Sequence, residues 1–210
     1  EAEEDGQYGS LASRYTKALA RSMASTKEIK AANVLNNAQT AGVTGGDGVV
    51  LLSASHPTQN GIQSNVLATA ADLSETSLES ILIQISDMKD DRGLRIAAQG
   101  TQLIIPTAYQ FVAERLLESQ LRTGTADNDI NAIKAGGYLP QGYHIMRRLT
   151  DGDAFFVQTD VPDGLKMFQR SAMKKGMEGD FETGNVRYKV RERYSFGVTD
   201  WRGVFGTEGG

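Results

Sequence analysis

Polar and apolar positions alternate along most of residues 185–198, near the C-terminus. Val186, Tyr188, Val190, Tyr194, Phe196 and Val198 share one parity, and Arg187, Lys189, Arg191 and Arg193 share the other. Successive side chains on a strand point to opposite faces, so this period of two predicts a β-strand with an apolar and a basic face. About 13 residues at roughly 3.3 Å each make it about 43 Å long, against about 5–6 residues for an ordinary strand. A strand of that reach extends beyond a single core, and its unpaired edge invites a partner chain. The element reads as part of an assembly rather than as the wall of an enzyme pocket.

Residues 10–39 carry the opposite pattern. They are rich in Ala, Leu, Lys, Arg and Met and contain no Gly or Pro, a composition that favours helix. Leu11, Tyr15, Leu19 and Met23 recur at i+4, and Ala31, Val34, Leu35 and Ala38 continue a stripe that drifts round the axis. About 30 residues give a rod about 45 Å long. Ser25-Thr26-Lys27-Glu28 matches a capping box that would divide it in two; one continuous or mildly kinked helix is expected.

Between these ends the signals shorten. Glycines at 42, 45, 46 and 48 predict a flexible turn, Val49 to Leu52 a short apolar strand, and His56 to Asn65 a loop. Thr76-Ser77-Leu78-Glu79 reads as a second capping box, opening a helix with the stripe Leu78, Ile81, Leu82, Ile85 and Met88. Asp90 to Gly93 is a turn before the alternating Leu94 and Ile96. Leu103-Ile104-Ile105 is a buried strand ended by Pro106, after which Thr107 caps a helix carrying Tyr109, Phe111, Val112, Leu116 and Leu117. Residues 122–141 read as a long exposed loop. Strands are expected at 143–149 and 154–158, joined by an Asp151-Gly152 hairpin signal.

Composition narrows the function classes. The chain has 210 residues, 40% hydrophobic and 23% charged, which suits one large or two modest globular domains. Its net charge of −4 excludes a polycation built for nucleic acid, though not a local basic face. With no cysteine there are no disulfides, thiolate metal sites or cysteine nucleophiles. No apolar stretch approaches the roughly 18 residues of a membrane span, and no signal peptide is present. The sequence opens on an acidic lead-in, EAEEDG, without an initiator Met, and is expected to be a processed or partial product.

Candidate chemistry is thin. The cluster GVTGGDG lacks the Lys of a phosphate loop and precedes a strand rather than a helix. Asp127, Asp129 and Asn131 resemble the start of a calcium loop, but Ala132 replaces the required Gly and Tyr138 the final Glu. Two histidines, His56 and His144, lie far apart without ligand spacing. A Ser53, His56 and Asp47 grouping is chemically conceivable, yet nothing resembles G-x-S-x-G. No catalytic, cofactor-binding or metal residue is expected, and Trp201 is expected to pack in the core.

The order of parts is more specific than any motif. A long Ala-rich helix ends in Asn36-Asn37, followed by a glycine turn and LLSASHP; then come a helix, a strand with Pro106, a second helix, a polar loop, and a terminal strand ending WRGVFG. With the segments SRYTKALARSMASTKEIKAANVLNNA, LIIPTAYQFVAERLLES and VRYKVRERYSFGVTDWRGV, essentially the whole chain resembles the major capsid proteins of tailed bacteriophages, of the Hong Kong 97 type fold. The resemblance implies an α+β subunit. A peripheral domain, residues 1–52 and 171–210, would hold the spine helix and the long strand. An axial domain, residues 53–170, would hold a sheet flanked by helices near 78–88 and 108–120. Its polar loop, with Asp127, Asn128, Asp129, Asn131 and Lys134, would approach the capsomer axis. The family's N-terminal arm and extended loop have no room in the nine residues before the helix. They are expected to have been removed or to lie outside this sequence, and no cross-link through that loop's Lys is inferred.

The function so implied is a shell protein that assembles with itself into hexamers and pentamers around packaged double-stranded DNA, without sequence specificity. Arg187, Lys189, Arg191 and Arg193 would face a neighbouring subunit or the genome. Portal, scaffold and cement proteins are candidate partners; no cofactor and no membrane are expected. The protein would be made in the host cytoplasm and reside in the virion. The alternatives are a shell of an encapsulin-like nanocompartment or gene-transfer particle, and a monomeric α/β enzyme or nucleotide-binding module.

Overall fold

The computed structural model describes residues 8–122, 129–180, 182, 184 and 186–210. They form two compact units: residues up to Ala31 with Met167–Phe196, and Ala32–Lys166 with Gly197–Gly210. The architecture mixes helix and sheet, as the sequence pattern predicts.

The larger unit is built on a four-stranded sheet, formed by β3 (Gly100–Ile105), β4 (Tyr143–Ile145), β5 (Phe155–Thr159) and β8 (Val204–Thr207) in the order β4-β3-β5-β8. Both faces are covered, which explains why its strands read as continuous apolar runs rather than as alternations. Leu103, Ile105, Phe155, Val157 and Phe205 point to one face, where α2 (Glu75–Ser86), α3 (Gln110–Glu118) and the short α4 (Ala132–Gly136) pack with Leu78, Ile81, Ile85, Ala113, Leu117 and Ile133. Ile104, Phe156 and Val204 point to the other, against Leu35, Ala38 and Leu52. The stripe expected on α2 is buried throughout. Its cap lies two residues earlier than expected: Ser74 accepts from Ser77 N–H, and the Ser77 hydroxyl accepts from Ser74 N–H. A serine hydroxyl thus replaces the Glu of a capping box.

Several local expectations are overturned by tertiary pairing. Residues 49–52 are not a strand; Val50 makes an isolated bridge to Thr44. The expected loop at 56–65 is a hairpin of β1 (His56–Thr58) and β2 (Gly61–Gln63). No Asp151-Gly152 hairpin forms, because β3 lies between β4 and β5, parallel to the first and antiparallel to the second. Thr107 opens a 3₁₀ turn without a side-chain cap, and Phe111 of α3 is exposed. The stretch 122–141, expected as a loop, contains α4 and the buried Ile133 and Leu139.

α1 (Tyr8–Asn36), whose residues up to Ala31 belong to the smaller unit, is one continuous helix. Thr26 does not cap a second helix; its hydroxyl donates to Ser22 O at 2.9 Å inside the same helix, the i−4 bond open to a mid-helix Thr. Tyr15, expected on the apolar stripe, is exposed. The long strand is β7 (Val186–Val198), 13 residues as its alternation predicts. It pairs with a 15-residue strand, β6 (Leu165–Gly179), that the sequence reading missed. The link at 180–185 is far too short for a parallel crossover, so the ladder is antiparallel.

The approach of two backbone segments sets a sharp test. A Cβ on Gly203 would lie 2.3 Å from Gly164 Cα, a contact that no side-chain movement relieves. Gly203→Ala should therefore lower stability by about 1–3 kcal/mol or more, read as a reduced urea midpoint with unchanged slope.

Candidate functional site

The basic row expected on the terminal strand exists. Arg187, Lys189, Arg191 and Arg193 are exposed, while Tyr188, Val190, Tyr194 and Phe196 on the alternate positions are half-buried. Tyr194 and Phe196 pack edge to face with centroids 5.4 Å apart.

Glu192 interrupts the apolar parity between Val190 and Tyr194, and its side chain is 3% exposed. Such a carboxylate needs a partner. Lys27 of α1 supplies it at 2.6 Å, the Gln169 amide of β6 donates to the same oxygen at 3.1 Å, and the Lys27 ammonium lies 5.3 Å from the Tyr194 ring centroid. Lys27 falls four residues after Met23, on the line of the helix's own apolar stripe. Each stripe thus carries one charged position, and the two meet. The sequence held this signal as a matched pair of exceptions.

The Gln169 bond also orients β6. It puts Gln169 on the side of Glu192, so Phe168, Arg170 and Lys174 belong to the opposite side, with the arginines of β7. Arg170 and Arg193 line one surface hollow. Arg187 pairs with Asp180 at 3.3 Å.

The larger unit brings together Asp47 and His56, two members of the grouping conceived from sequence. His56 is fully buried, its Nδ1 2.6 Å from Asp47 Oδ2 and its Nε2 3.2 Å from Asn65 Oδ1. The Asn65 amide is oriented by its surroundings: Nδ2 donates to Leu51 O, Trp201 O and Val204 O, and Oδ1 accepts from Ser53 N–H. Both ring nitrogens therefore face oxygens. Neither is free to act as a base, and the Ser53 hydroxyl pairs with Ser55 at 3.1 Å. A catalytic triad is not assembled. Trp201 stacks on His56 at 4.2 Å with planes 2° apart, and the Arg202 guanidinium lies 4.6 Å from the Trp201 centroid, held by Asp91 at 2.6 Å. Trp201, expected in the core, is half-buried and sandwiched between His56 and Arg202 instead.

Of the loop residues, Asp127 and Asn128 lie outside the described residues. Asp129 is exposed, and its carbonyl accepts from Arg122 N–H at 2.9 Å. Asn131 is buried: it caps α4 through Ile133 N–H and Lys134 N–H, and donates to Leu116 O and Ser119 O. Lys134 pairs with Glu118. Among the described residues, no group of three or more His, Cys, Asp and Glu is placed to hold a metal ion. Nor is any helix among them long and apolar enough to cross a membrane.

Residues 1–206 match the phage capsid protein family, and the chain belongs to it. The family is a structural one, which makes the protein a virion component. Its fold is similar to a solved structure from Mycobacterium phage Che8 (TM-score 0.50, 16% identity, 92% of this chain and 61% of that one). It is equally similar to a phage-related protein of Bordetella bronchiseptica RB50 (TM-score 0.50, 14% identity, 94% and 64%). The chain thus spans under two thirds of the length of either. No curated protein matches it significantly in sequence.

Two predictions test these supports. Lys27→Met leaves the Glu192 carboxylate buried and without its cation; because Lys27 is itself one-third exposed, the expected loss is about 1–3 kcal/mol, below that of a fully buried pair. Pairing it with Glu192→Leu should recover most of that loss in urea melts. Burial alone would raise the Asp47 carboxyl, but the bonds from His56 and the Val49 N–H outweigh it and hold it below its ordinary value of 3.8. Its contribution is therefore present above about pH 4 and is lost as the pH falls through the lower, folded value. Asp47→Asn should flatten the fall in melting temperature between pH 5 and pH 2.

Proposed function

We propose that this chain is the repeating subunit of an icosahedral phage head of the Hong Kong 97 type, assembling with copies of itself into hexamers and pentamers around double-stranded DNA. The observation that carries this reading is the ladder of β6 and β7. Strands of 15 and 13 residues, paired among the described residues only with each other, leave Met167, Phe168, Met173 and Met177 between 42% and 66% exposed. A two-stranded ribbon does not bury enough apolar surface to stand alone. Packing against neighbouring subunits would cover these side chains, and weak contacts repeated over many copies make a stable shell through multivalency.

In this reading α1 and the ladder form the framework of the peripheral domain, whose expected extent is 1–52 and 171–210, and the four-stranded sheet belongs to the axial domain at 53–170. The segment 123–140 approaches the capsomer axis, offering Asp129 and Lys134, while Asn131 holds it from inside; Asp127 and Asn128 belong to the same assignment. Arg187, Lys189, Arg191 and Arg193 are presented to a neighbour or to the genome. Assembly takes place in the host cytoplasm, with portal, scaffold and cement proteins as further partners.

Electron microscopy and sedimentation of the full-length protein test the proposal. Closed shells containing DNA are the expected result. A stable monomer near the chain mass of 22.7 kDa under all conditions would sink it. Shells that enclose protein cargo and no DNA would favour the nanocompartment alternative.

A further inference from the structure

The outer face of the ladder has a charge pattern that the shell itself does not require. It carries Arg170 and Lys174 from β6 and Arg187, Lys189, Arg191 and Arg193 from β7. Among the described residues, Arg187 alone of these six takes an ion pair, with Asp180. The larger unit holds most of the chain's acids, so the overall charge of −4 conceals this concentration.

We infer that this face binds the phosphate backbone of double-stranded nucleic acid directly and without regard to sequence. Same-face residues on a strand recur at about 6.6–6.8 Å, close to two nucleotide steps of about 3.4 Å along one strand of a duplex. The four cations of β7 form a row about 20 Å long, and Arg170 beside Arg193 begins a second row. A repeating polyanion satisfies such a row at every step, whereas a folded protein surface mixes signs. Most of the six are arginines, whose planar fork matches phosphate. Between them the face offers Ala172, Gly176 and Ser195, with no Asn or Gln to read base edges, and its acids, Glu178 and the Asp180 that pairs with Arg187, stand toward the hairpin turn, so contact along the rest of the row is confined to the backbone. The Lys27–Glu192 bond beneath keeps the opposite parity turned inward and the row turned out.

The inference rests on the shell reading for its biological setting but is tested apart from it. Fluorescence anisotropy of the full-length protein with two labelled 30-base-pair duplexes of unrelated sequence should give equal affinities that weaken steeply with salt. Removing three cations in Lys189→Gln/Arg191→Gln/Arg193→Gln should weaken binding tenfold or more at about 50 mM salt and reduce the log–log salt slope by about 3, with the melting temperature unchanged. The control Arg14→Gln/Lys17→Gln/Arg21→Gln removes as many exposed charges from α1 and should change binding much less. Equal losses in the two variants would overturn the inference, since net charge and not this face would then be responsible. So would undiminished duplex binding in the β7 variant, whether or not it still forms particles by electron microscopy; lost particles in that case would make the face a contact between copies. If the protein binds duplex as described but never forms shells, this inference stands and the shell reading fails.

Discussion

A one-residue slip of β7 would turn its arginines inward and its tyrosines out, because side chains alternate with a period of two. The bond between Lys27 of the long helix and Glu192 of the strand opposes such a slip. A slip would leave a carboxylate exposed on one side and an arginine pressed on the helix on the other. Everything proposed for the smaller unit follows from that registration. The Tyr194 and Phe196 rings lie together, Gln169 is drawn to the same carboxylate, and the cations of both strands are left on the open face. Buried ion pairs seldom add much net stability, since desolvation offsets their attraction; selecting one arrangement over its near-equivalent is the better account of this one.

The larger unit depends on its last strand being seated beside residues from much earlier in the chain. β8 comes from the C-terminus and pairs with β5, and Val204 and Phe205 complete the two faces of the sheet. What seats it is a single amide. Asn65 joins Leu51 and Ser53 on one side to Trp201 and Val204 on the other, with His56 against its oxygen. Of these, the Val204 carbonyl bond is fully buried, and a buried carbonyl left without its donor costs about 1–3 kcal/mol. The Arg202–Trp201–His56 stack then extends the junction to the turn at Asp91, so the WRGVFG segment serves as a structural clasp rather than as a binding motif.

Elements with strong periodicity were legible: the continuous helix, the buried stripe of α2 and the 13-residue strand all lie where their patterns put them. Elements defined by a distant partner were not. β6 alternates poorly, with MFQRSAMKKGMEG offering little contrast between its faces, and it is a strand because β7 pairs with it. The Asp151-Gly152 signal was real chemistry for a turn, but β3 inserts between the strands it was expected to join. Asn131 looked like a loop residue because, besides its local cap of α4, it bonds Leu116 O and Ser119 O, 15 and 12 residues back, which the sequence does not bring near.

The basic row therefore belongs to the sequence, because alternation along a single strand is a local property that needs only the pleat to become a face. Its breadth, its outward aim and the identity of its support were decided by the tertiary structure. Arg170 joins the row, and Glu192 finds Lys27, across separations of 23 and 165 residues, the first spacing being that of the Gln169–Glu192 bond. Each side chain marks a break in its own local pattern, but a pattern local to one element cannot say which distant break it meets, and only the folded chain brings the two exceptions together.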